Sequence, residues 1–136
     1  MEFKLELIIV PVSDVDRAKA FYSENAGFNV DVDFSADGGF RIVQLTPPGS
    51  ACSITLMHNA DRAGSLEGLH LVVSDMDLAR RELLDRGLAV GEPYHFDNGS
   101  EAPGPDPERR DYGTFMSFKD PDGNGWLVQE VRSRAA

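Results

Sequence analysis

Apolar and polar positions follow one another along this chain in a pattern that predicts the same order of elements twice. Residues 5–12 and 69–73 are apolar runs of strand length, and Glu2, Lys4 and Glu6 alternate with apolar residues at the start of the chain. Each run leads into a segment whose apolar residues recur at helical spacing, which predicts an amphipathic helix after each strand. The apolar face of the helix consists of Val15, Ala18 and Tyr22 in the first half and of Met76, Ala79 and Leu83 in the second.

A short repeat marks the start of both predicted helices. The letters VSDVD at residues 12–16 return as VSDMD at residues 73–77. Ser13 and Ser74 are therefore predicted to be the N-cap residues. Each is followed three positions later by an aspartate, which favours the positive end of a helix.

Three further strand-like segments follow each helix, and turns rich in glycine or proline separate several of them. The segments cover residues 28–34, 40–46 and 52–57 in the first half and 89–96, 114–118 and 125–131 in the second. We therefore expect an α+β fold in which two βαβββ modules form a curved, partly closed mixed sheet with the helices outside. A chain of 136 residues suits a single domain over 1–136, with modules at about 1–60 and 65–134.

Residues 97–113 have no counterpart in the first half. The segment is rich in proline and glycine and carries several charges, which is typical of a long loop. Two interpretations stay open, a lid over a binding site or a surface excursion without fixed structure. In a lid, Arg109, Arg110 and Tyr112 are the candidates to close over a ligand, and an arginine suits an anionic group. Otherwise all three residues lie on a solvated loop tip.

Two motifs together resemble a known superfamily. The segment PVSDVDRAKAFY at 11–22, followed by Gly27 and Phe28, is similar to the first strand and helix of the vicinal oxygen chelate superfamily of glyoxalases, bleomycin-resistance proteins and extradiol dioxygenases. The segment DPDGNGW at 120–126 resembles the turn before the last strand of that family. The resemblance covers nearly the whole chain and implies the two-module fold and a homodimer. It leaves the activity open, since members include metal-dependent isomerases, lyases and dioxygenases and also metal-free proteins that sequester antibiotics.

The same resemblance implies where metal ligands would stand. Metal-using members carry one ligand on the first strand and one on the last strand of each half, and the corresponding positions here are Leu7, Ser53, Gly68 and Leu127. Leucine and glycine side chains cannot ligate a cation and a lone serine hydroxyl ligates weakly, so we expect no metal cofactor. A divalent metal held by displaced ligands stays open, because a shift of two residues in the second half would bring in His70.

Strand alternation predicts which side chains lie next to these four positions. Successive residues of a strand point to opposite faces, so Ile9, Thr55, His70 and Gln129 should share the inner face with them. The predicted site is a largely apolar pocket with a few polar groups, which suits a small-molecule ligand. His70 is its candidate catalytic acid or base, and the alternative is a hydrogen-bonded interior histidine. Gln129 either contacts the ligand or satisfies backbone groups.

Three residues fall outside this predicted pocket. Trp126 lies on the opposite face by the same count, where it either packs in the core or offers a stacking platform. Glu130 shares that face and is expected to be an ordinary surface or interface acid. The single cysteine, Cys52, cannot form an internal disulfide, so we expect the protein to be located in a reducing cytoplasm.

The formal net charge of −10 restricts the partners. Nucleic acids and anionic membrane surfaces would be repelled, and no apolar run reaches the roughly 18 residues of a membrane helix. The charge favours a cationic small molecule over an anionic one, although it also serves solubility.

The sequence thus predicts a small-molecule-binding, glyoxalase-like protein that lacks the usual metal ligands and binds or sequesters an apolar, aromatic or cationic compound. The alternative is a lyase- or dioxygenase-type enzyme of the same family that uses His70 or displaced metal ligands. Whether the protein is an enzyme stays open at this stage.

Metal content separates these alternatives. We expect close to zero metal per chain in protein purified without chelator, before and after incubation with manganese, zinc, nickel or iron(II), because Leu7, Gly68 and Leu127 offer no donor side chains. Elemental analysis gives the stoichiometry. One tightly bound metal per chain would contradict the assignment of these positions and make His70 the first suspected ligand.

Overall fold

The computed structural model describes residues 1–135, which form two compact units. Unit 1 contains residues 1–66 and 120–124, and unit 2 contains residues 67–119 and the chain from Gly125 onward. The described residues form two α-helices and nine strands in two mixed sheets, which confirms the predicted α+β fold. Each unit begins with a strand, continues with a helix and completes its sheet with further strands, as the repeat predicts.

Unit 1 builds a four-stranded sheet in the order β1-β4-β3-β2. Its elements are β1 (Leu7–Val12), α1 (Val15–Ala20), β2 (Asn29–Ser35), β3 (Arg41–Thr46) and β4 (Ser53–His58). β1 and β4 are parallel, whereas β3 is antiparallel to both β2 and β4. A π-helical turn, Phe21–Asn25, extends α1. The buried residues of this unit include Val10, Ala18, Tyr22, Val43, Leu45 and Leu56.

Unit 2 builds a five-stranded sheet in the order β5-β9-β8-β6-β7. Its elements are β5 (Leu69–Val73), α2 (Met76–Asp85), β6 (Tyr94–Asp97), β7 (Ser100–Pro103), β8 (Phe115–Lys119) and β9 (Gly125–Glu130). β5 and β9 are parallel, and the other neighbouring strands are antiparallel. Within residues 1–135, the helices are all too short or too polar to cross a membrane.

The fifth strand of unit 2 corrects the interpretation of residues 97–113 as a loop. β6 and β7 form a hairpin around Asn98 and Gly99, whose φ angles are 52° and 81°. Asn-Gly is the preferred pair for such a two-residue turn, because both positions require the left-handed conformation. The predicted strand over residues 89–96 is correspondingly shorter and begins only at Tyr94.

Both helices are capped one residue later than the repeat suggested. Asp14 and Asp75 are the N-cap residues, and each carboxylate accepts a hydrogen bond of 3.1 Å from the backbone N–H three residues further on. A carboxylate at this position adds a favourable interaction with the helix dipole to the cap itself. Ser13, the predicted cap of α1, instead donates through its N–H and its hydroxyl to the Asp122 carboxylate.

A buried aspartate organises the turn at residues 120–124 within unit 1. Oδ1 of Asp120 accepts hydrogen bonds from the backbone N–H groups of the next residues of the turn. Oδ2 accepts from the Tyr22 hydroxyl at 2.7 Å and from the Asn124 side chain at 2.8 Å. Asn124 also donates to the Pro11 carbonyl at 3.0 Å. The DPDGN motif is therefore tied to β1 and to the helical segment that carries Tyr22.

Glu130 lies in the interior of unit 2, although the sequence analysis expected a surface acid. Its side chain is 0 % exposed. Oε1 accepts from Arg109 Nε at 3.0 Å, and Oε2 accepts from Arg109 Nη2 at 2.8 Å and from the N–H of Met76 at 2.7 Å. Because Met76 begins α2, the carboxylate also lies at the positive end of this helix. Burial alone would raise the pKa of Glu130, but the hydrogen bonds from Arg109 and Met76 outweigh it and leave the pKa below its ordinary value.

Charged side chains also order residues 105–113 in unit 2. Buried Asp106 accepts hydrogen bonds from Nε and Nη2 of Arg110 at 2.9 and 3.1 Å, which hold the pKa of Asp106 well below its usual range. Arg109 and Tyr112 have φ angles of 50° and 66°. Non-glycine residues keep this conformation only where their surroundings hold it. The segment therefore has a defined backbone next to β9.

Replacing Glu130 by Gln tests the buried charge. The variant keeps the size of the side chain but leaves Arg109 without its counterion, so we expect the free energy of unfolding near neutral pH to fall by about 3 kcal/mol. Because the folded-state pKa of Glu130 is lowered, its stabilising contribution is complete above the unfolded-state pKa and is lost as the pH falls through the folded-state value. The difference between wild type and variant should therefore shrink as the pH falls below the unfolded-state pKa of a glutamate, about 4.3.

Urea unfolding at a series of pH values makes this comparison. The matched control is Glu108→Gln, which removes a carboxylate that is 72 % exposed and 3.4 Å from Arg110. An exposed pair contributes little, so this control should leave the stability nearly unchanged. Equal losses in the two variants, or a loss in Glu130→Gln that does not depend on pH, would contradict the role of the buried pair.

Candidate functional site

One face of the unit 2 sheet carries aromatic and polar side chains that are not covered. Directly paired residues point to the same face of a sheet, and alternate residues of each strand return to it, so the register defines this surface. We call it the aromatic face. It consists of His70, Val72, Tyr94, Phe96, Glu101, Pro103, Phe115, Ser117, Leu127 and Gln129.

Three aromatic rings form a cluster on this face. Tyr94 and Phe115 stack with ring centroids 5.6 Å apart and an interplanar angle of 19°. Phe96 meets Phe115 edge-on at 5.6 Å and Tyr94 edge-on at 6.0 Å. Phe96 is 51 % exposed, so the cluster offers ring surface to a ligand. None of these rings is predicted from the sequence as a site residue, although the alternation of Tyr94 and Phe96 around His95 is a strand signal that places both rings on one face.

Trp126 lies on the opposite face of the same sheet. It is 4 % exposed and stacks on Phe118 with centroids 5.8 Å apart and an interplanar angle of 4°. Of the two roles considered for this residue, the structure supports core packing.

His70 is exposed at one edge of the aromatic face, opposite Leu127. Its Nδ1 lies 2.8 Å from the carbonyl oxygen of Gly68. A carbonyl only accepts, so Nδ1 carries the hydrogen, and in the neutral ring Nε2 keeps its lone pair. His70 is thus exposed, and its ring has a fixed orientation.

Gln129 is oriented in the same way by a backbone carbonyl. Its Nε2 donates to the carbonyl oxygen of Tyr112 at 3.0 Å, which leaves Oε1 as the acceptor. The left-handed φ of Tyr112 belongs to the backbone that places this carbonyl beside β9. The Tyr112 ring is 51 % exposed, and its hydroxyl accepts a hydrogen bond from Arg134 at 3.3 Å.

Arg109 is engaged inside unit 2. Its Nε and Nη2 bind Glu130, and Nη2 also lies 3.5 Å from Asp77. These contacts, led by the hydrogen bonds to Glu130, raise the pKa of Arg109 above its ordinary value. In this structure the guanidinium neutralises protein carboxylates, so an anionic ligand would have to compete with them.

In unit 1 the register places Ile9 opposite Thr55 and Leu7 opposite Ser53 on β1 and β4. Ile9 is 54 % exposed, whereas Thr55 is 5 % exposed. The Thr55 hydroxyl has no hydrogen-bond partner among residues 1–135. The Ser53 hydroxyl lies 2.7 Å from that of Thr46.

The register also locates the four positions that correspond to metal ligands. Leu7 pairs with Ser53, whereas the partner of Leu127 is His70 and not Gly68. The two positions of each half are therefore direct partners in unit 1 and are two residues out of register in unit 2. Across residues 1–135, three or more His, Cys, Asp or Glu side chains nowhere come together as a metal site would require.

A pocket of about 640 Å³ opens at one end of the unit 2 sheet, where β5 and β9 begin and β8 ends. Ser117 and Leu127 of the aromatic face line it, and so do Phe118 and Trp126 of the opposite face. The pocket therefore lies at the end of the sheet, next to the aromatic face, and its size suits a small molecule.

Comparison with known protein families finds a match to one family model. The sequence model described as "Glyoxalase/Bleomycin resistance protein/Dioxygenase superfamily" matches residues 4–128. Among curated proteins, the uncharacterized protein YetH of Bacillus subtilis (strain 168) is 26 % identical over 123 residues, which cover 90 % of this chain and 94 % of YetH.

Two solved structures from Streptomyces sp. CB03234 are each 32 % identical to this chain. One is TnmS3, an antibiotic binding protein, with a TM-score of 0.73 and coverage of 96 % of this chain and 97 % of TnmS3. The other is a glyoxalase/bleomycin resistance protein, with a TM-score of 0.70 and coverage of 93 % of this chain and 100 % of that protein.

Proposed function

Because this chain belongs to the glyoxalase/bleomycin resistance protein/dioxygenase superfamily, we propose that it binds a flat aromatic small molecule on the aromatic face and releases it unchanged. The observation that carries the proposal is the cluster of Tyr94, Phe96 and Phe115, whose rings fix one another while Phe96 stays half exposed. The antibiotic binding described for TnmS3 supports a small-molecule ligand for its relative as well.

The cluster suits a flat ligand for energetic reasons. A ring placed against an aromatic side chain gains about 1 kcal/mol beyond the value of the apolar area that it buries. Val72 and Leu127 extend the apolar surface on β5 and β9. Because the three rings already hold one another, binding freezes few side-chain rotamers and loses little entropy.

Charge favours a neutral or cationic ligand over an anionic one. The chain carries a net charge of −10, so its field repels anions. Two arginines near the site are already paired, Arg109 with Glu130 and Arg110 with Asp106. Sequestration of a neutral or cationic aromatic compound is therefore the function that the surface supports best.

An enzymatic function is the second candidate, because His70 has the tautomer of a general base. Its Nδ1–H is held by the Gly68 carbonyl, and the residue is exposed on the aromatic face. A lyase- or dioxygenase-type reaction would need Nε2 to take a proton from a bound substrate or to ligate a metal. Turnover that His70→Ala abolishes while ligand binding persists would favour the enzyme over the binding protein.

We propose further that the protein works as a homodimer in a reducing cytoplasm. β1 is an edge strand whose Ile8 and Ile9 are 36 % and 54 % exposed, and a second copy would cover such an edge. Cys52 is a free cysteine, which fits a compartment that keeps thiols reduced.

Replacing Phe96 by Ala tests the binding surface. We expect 9-aminoacridine, a flat aromatic cation, to bind the wild type, and Phe96→Ala to weaken its affinity about tenfold, because one ring contact of about 1.4 kcal/mol is lost. Isothermal titration calorimetry gives the dissociation constants.

Phe34→Ala is the matched control for this experiment. Phe34 lies on β2 of unit 1 and is 50 % exposed, so the substitution removes a ring of equal exposure away from the aromatic face. Its affinity should equal that of the wild type. An equal loss in both variants, or no binding of flat tricyclic amines by the wild type, would overturn the proposed function.

A further inference from the structure

We propose that the aromatic face selects ligands that carry two hydrogen-bond donors at the edge of an aromatic ring system, because His70 and Gln129 both present acceptor atoms there. The inference rests on the proposed function and adds the chemical class of the ligand. It assigns the two residues to specificity, whereas the aromatic cluster supplies the affinity.

The first acceptor is Nε2 of His70. The ring has two nitrogens, and Nδ1 is already bonded to the Gly68 carbonyl at 2.8 Å. Gly68 itself has a φ of 76°, which is the left-handed conformation that glycine adopts without strain. In this conformation the Gly68 carbonyl faces the imidazole of His70, two residues later. In the neutral ring, the nitrogen that remains for a ligand is an acceptor.

The second acceptor is Oε1 of Gln129. An amide can rotate to present either end, but the Tyr112 carbonyl accepts from Nε2 at 3.0 Å and thereby fixes which end remains. Tyr112 is itself held in place, because its N–H donates to the Glu130 carbonyl at 2.8 Å and the N–H of Glu130 donates to Thr114 at 2.9 Å. The orientation of the amide is thus set by the backbone around it.

The two acceptors stand on adjacent strands. His70 pairs with Leu127, and Gln129 is two residues further along β9. Adjacent strands are about 4.8 Å apart and two residues advance about 6.6 Å, so the two Cα atoms are about 8 Å apart. This spacing compares with the length of a fused bicyclic or tricyclic ring system. Phe115 pairs with Gln129, so a ligand that stacks on Phe115 can direct one edge towards both acceptors.

The remainder of the face offers few donors to a ligand that only accepts. Glu101, which pairs with Phe96, adds a further acceptor. The hydroxyls of Tyr94 and Ser117 lie 3.3 Å from one another, so one of their two protons is already engaged. Carbonyl or carboxylate groups placed at His70 and Gln129 would meet lone pairs, and burying such unpaired groups is costly. The predicted ligands are therefore aromatic amines or phenols rather than quinones or aromatic acids.

Three naphthalenes with the same ring system test this inference. The probes are 2,7-dihydroxynaphthalene with two donors, 2,7-dimethoxynaphthalene with acceptors alone, and unsubstituted naphthalene. At about pH 8, above the ordinary pKa of an imidazole, we expect the dihydroxy compound to bind the wild type at least tenfold more tightly than the dimethoxy compound. Calorimetric titration of each probe gives the ratio.

Two variants locate the discrimination. His70→Phe and Gln129→Met each remove one acceptor while keeping bulk, and each should reduce the preference for the dihydroxy probe about fivefold without weakening naphthalene. The matched control is His95→Phe. His95 has the same anchored geometry, with Nδ1 2.8 Å from the Gly104 carbonyl, but it alternates with Tyr94 and Phe96 and so faces away from the site. Circular dichroism melting verifies that each variant is folded.

The outcomes separate this inference from the function on which it rests. If all three probes bind with equal affinity and Phe96→Ala weakens each of them, the face binds aromatic ligands but does not select donors, and the inference is overturned alone. If the wild type binds none of the probes, both fall. If His95→Phe lowers the preference as much as His70→Phe, the selection does not come from the aromatic face, and the inference is likewise overturned.

Discussion

The buried ion pair between Glu130 and Arg109 is the interaction on which the geometry of unit 2 depends. A carboxylate with no exposure to water is stable only when it is paired and hydrogen-bonded, and Arg109 and the start of α2 meet both needs. Arg109 reaches it because the backbone of residues 105–113 turns back towards β9 with left-handed φ angles. The same turn places the Tyr112 carbonyl against Gln129. An ion pair on one face of β9 therefore sets the orientation of an amide on the other.

Patterns that act over a few residues predicted most of the elements. Strand alternation, helical spacing and the VSDVD repeat located β1, α1, β5 and α2, because these signals need no distant partner. The error in the caps has a different origin. Serine and aspartate are equally good caps, and the residue that engages Ser13, Asp122, is 109 positions away along the chain. The Asn98-Gly99 pair is a local signal for a hairpin. It lies in a segment whose prolines and glycines indicated a loop instead.

The candidate site was predictable in part. Alternation identifies His70 and Gln129 as residues that share a face, and the register places them on adjacent strands of one sheet. It does not show that Phe115 and Tyr94 lie opposite one another, because β7 and residues 104–114 separate β6 from β8 along the chain. The burial of Glu130 was missed for the same reason. Alternation indicates to which face the Glu130 side chain points, but Arg109, which pairs with it, lies 21 residues earlier in the sequence.

The five residues 120–124 have a consequence for how the chain is made. The chain leaves unit 2 after Lys119, contributes this turn to unit 1 and returns at Gly125. Its Asp120 and Asn124 contact the Tyr22 hydroxyl and the Pro11 carbonyl, which a ribosome produces about a hundred residues earlier. During synthesis, the last hydrogen bonds of unit 1 therefore cannot form until nearly the whole chain has been made. Neither unit corresponds to a continuous gene fragment, so halves expressed separately should recover the native state only when they are supplied together.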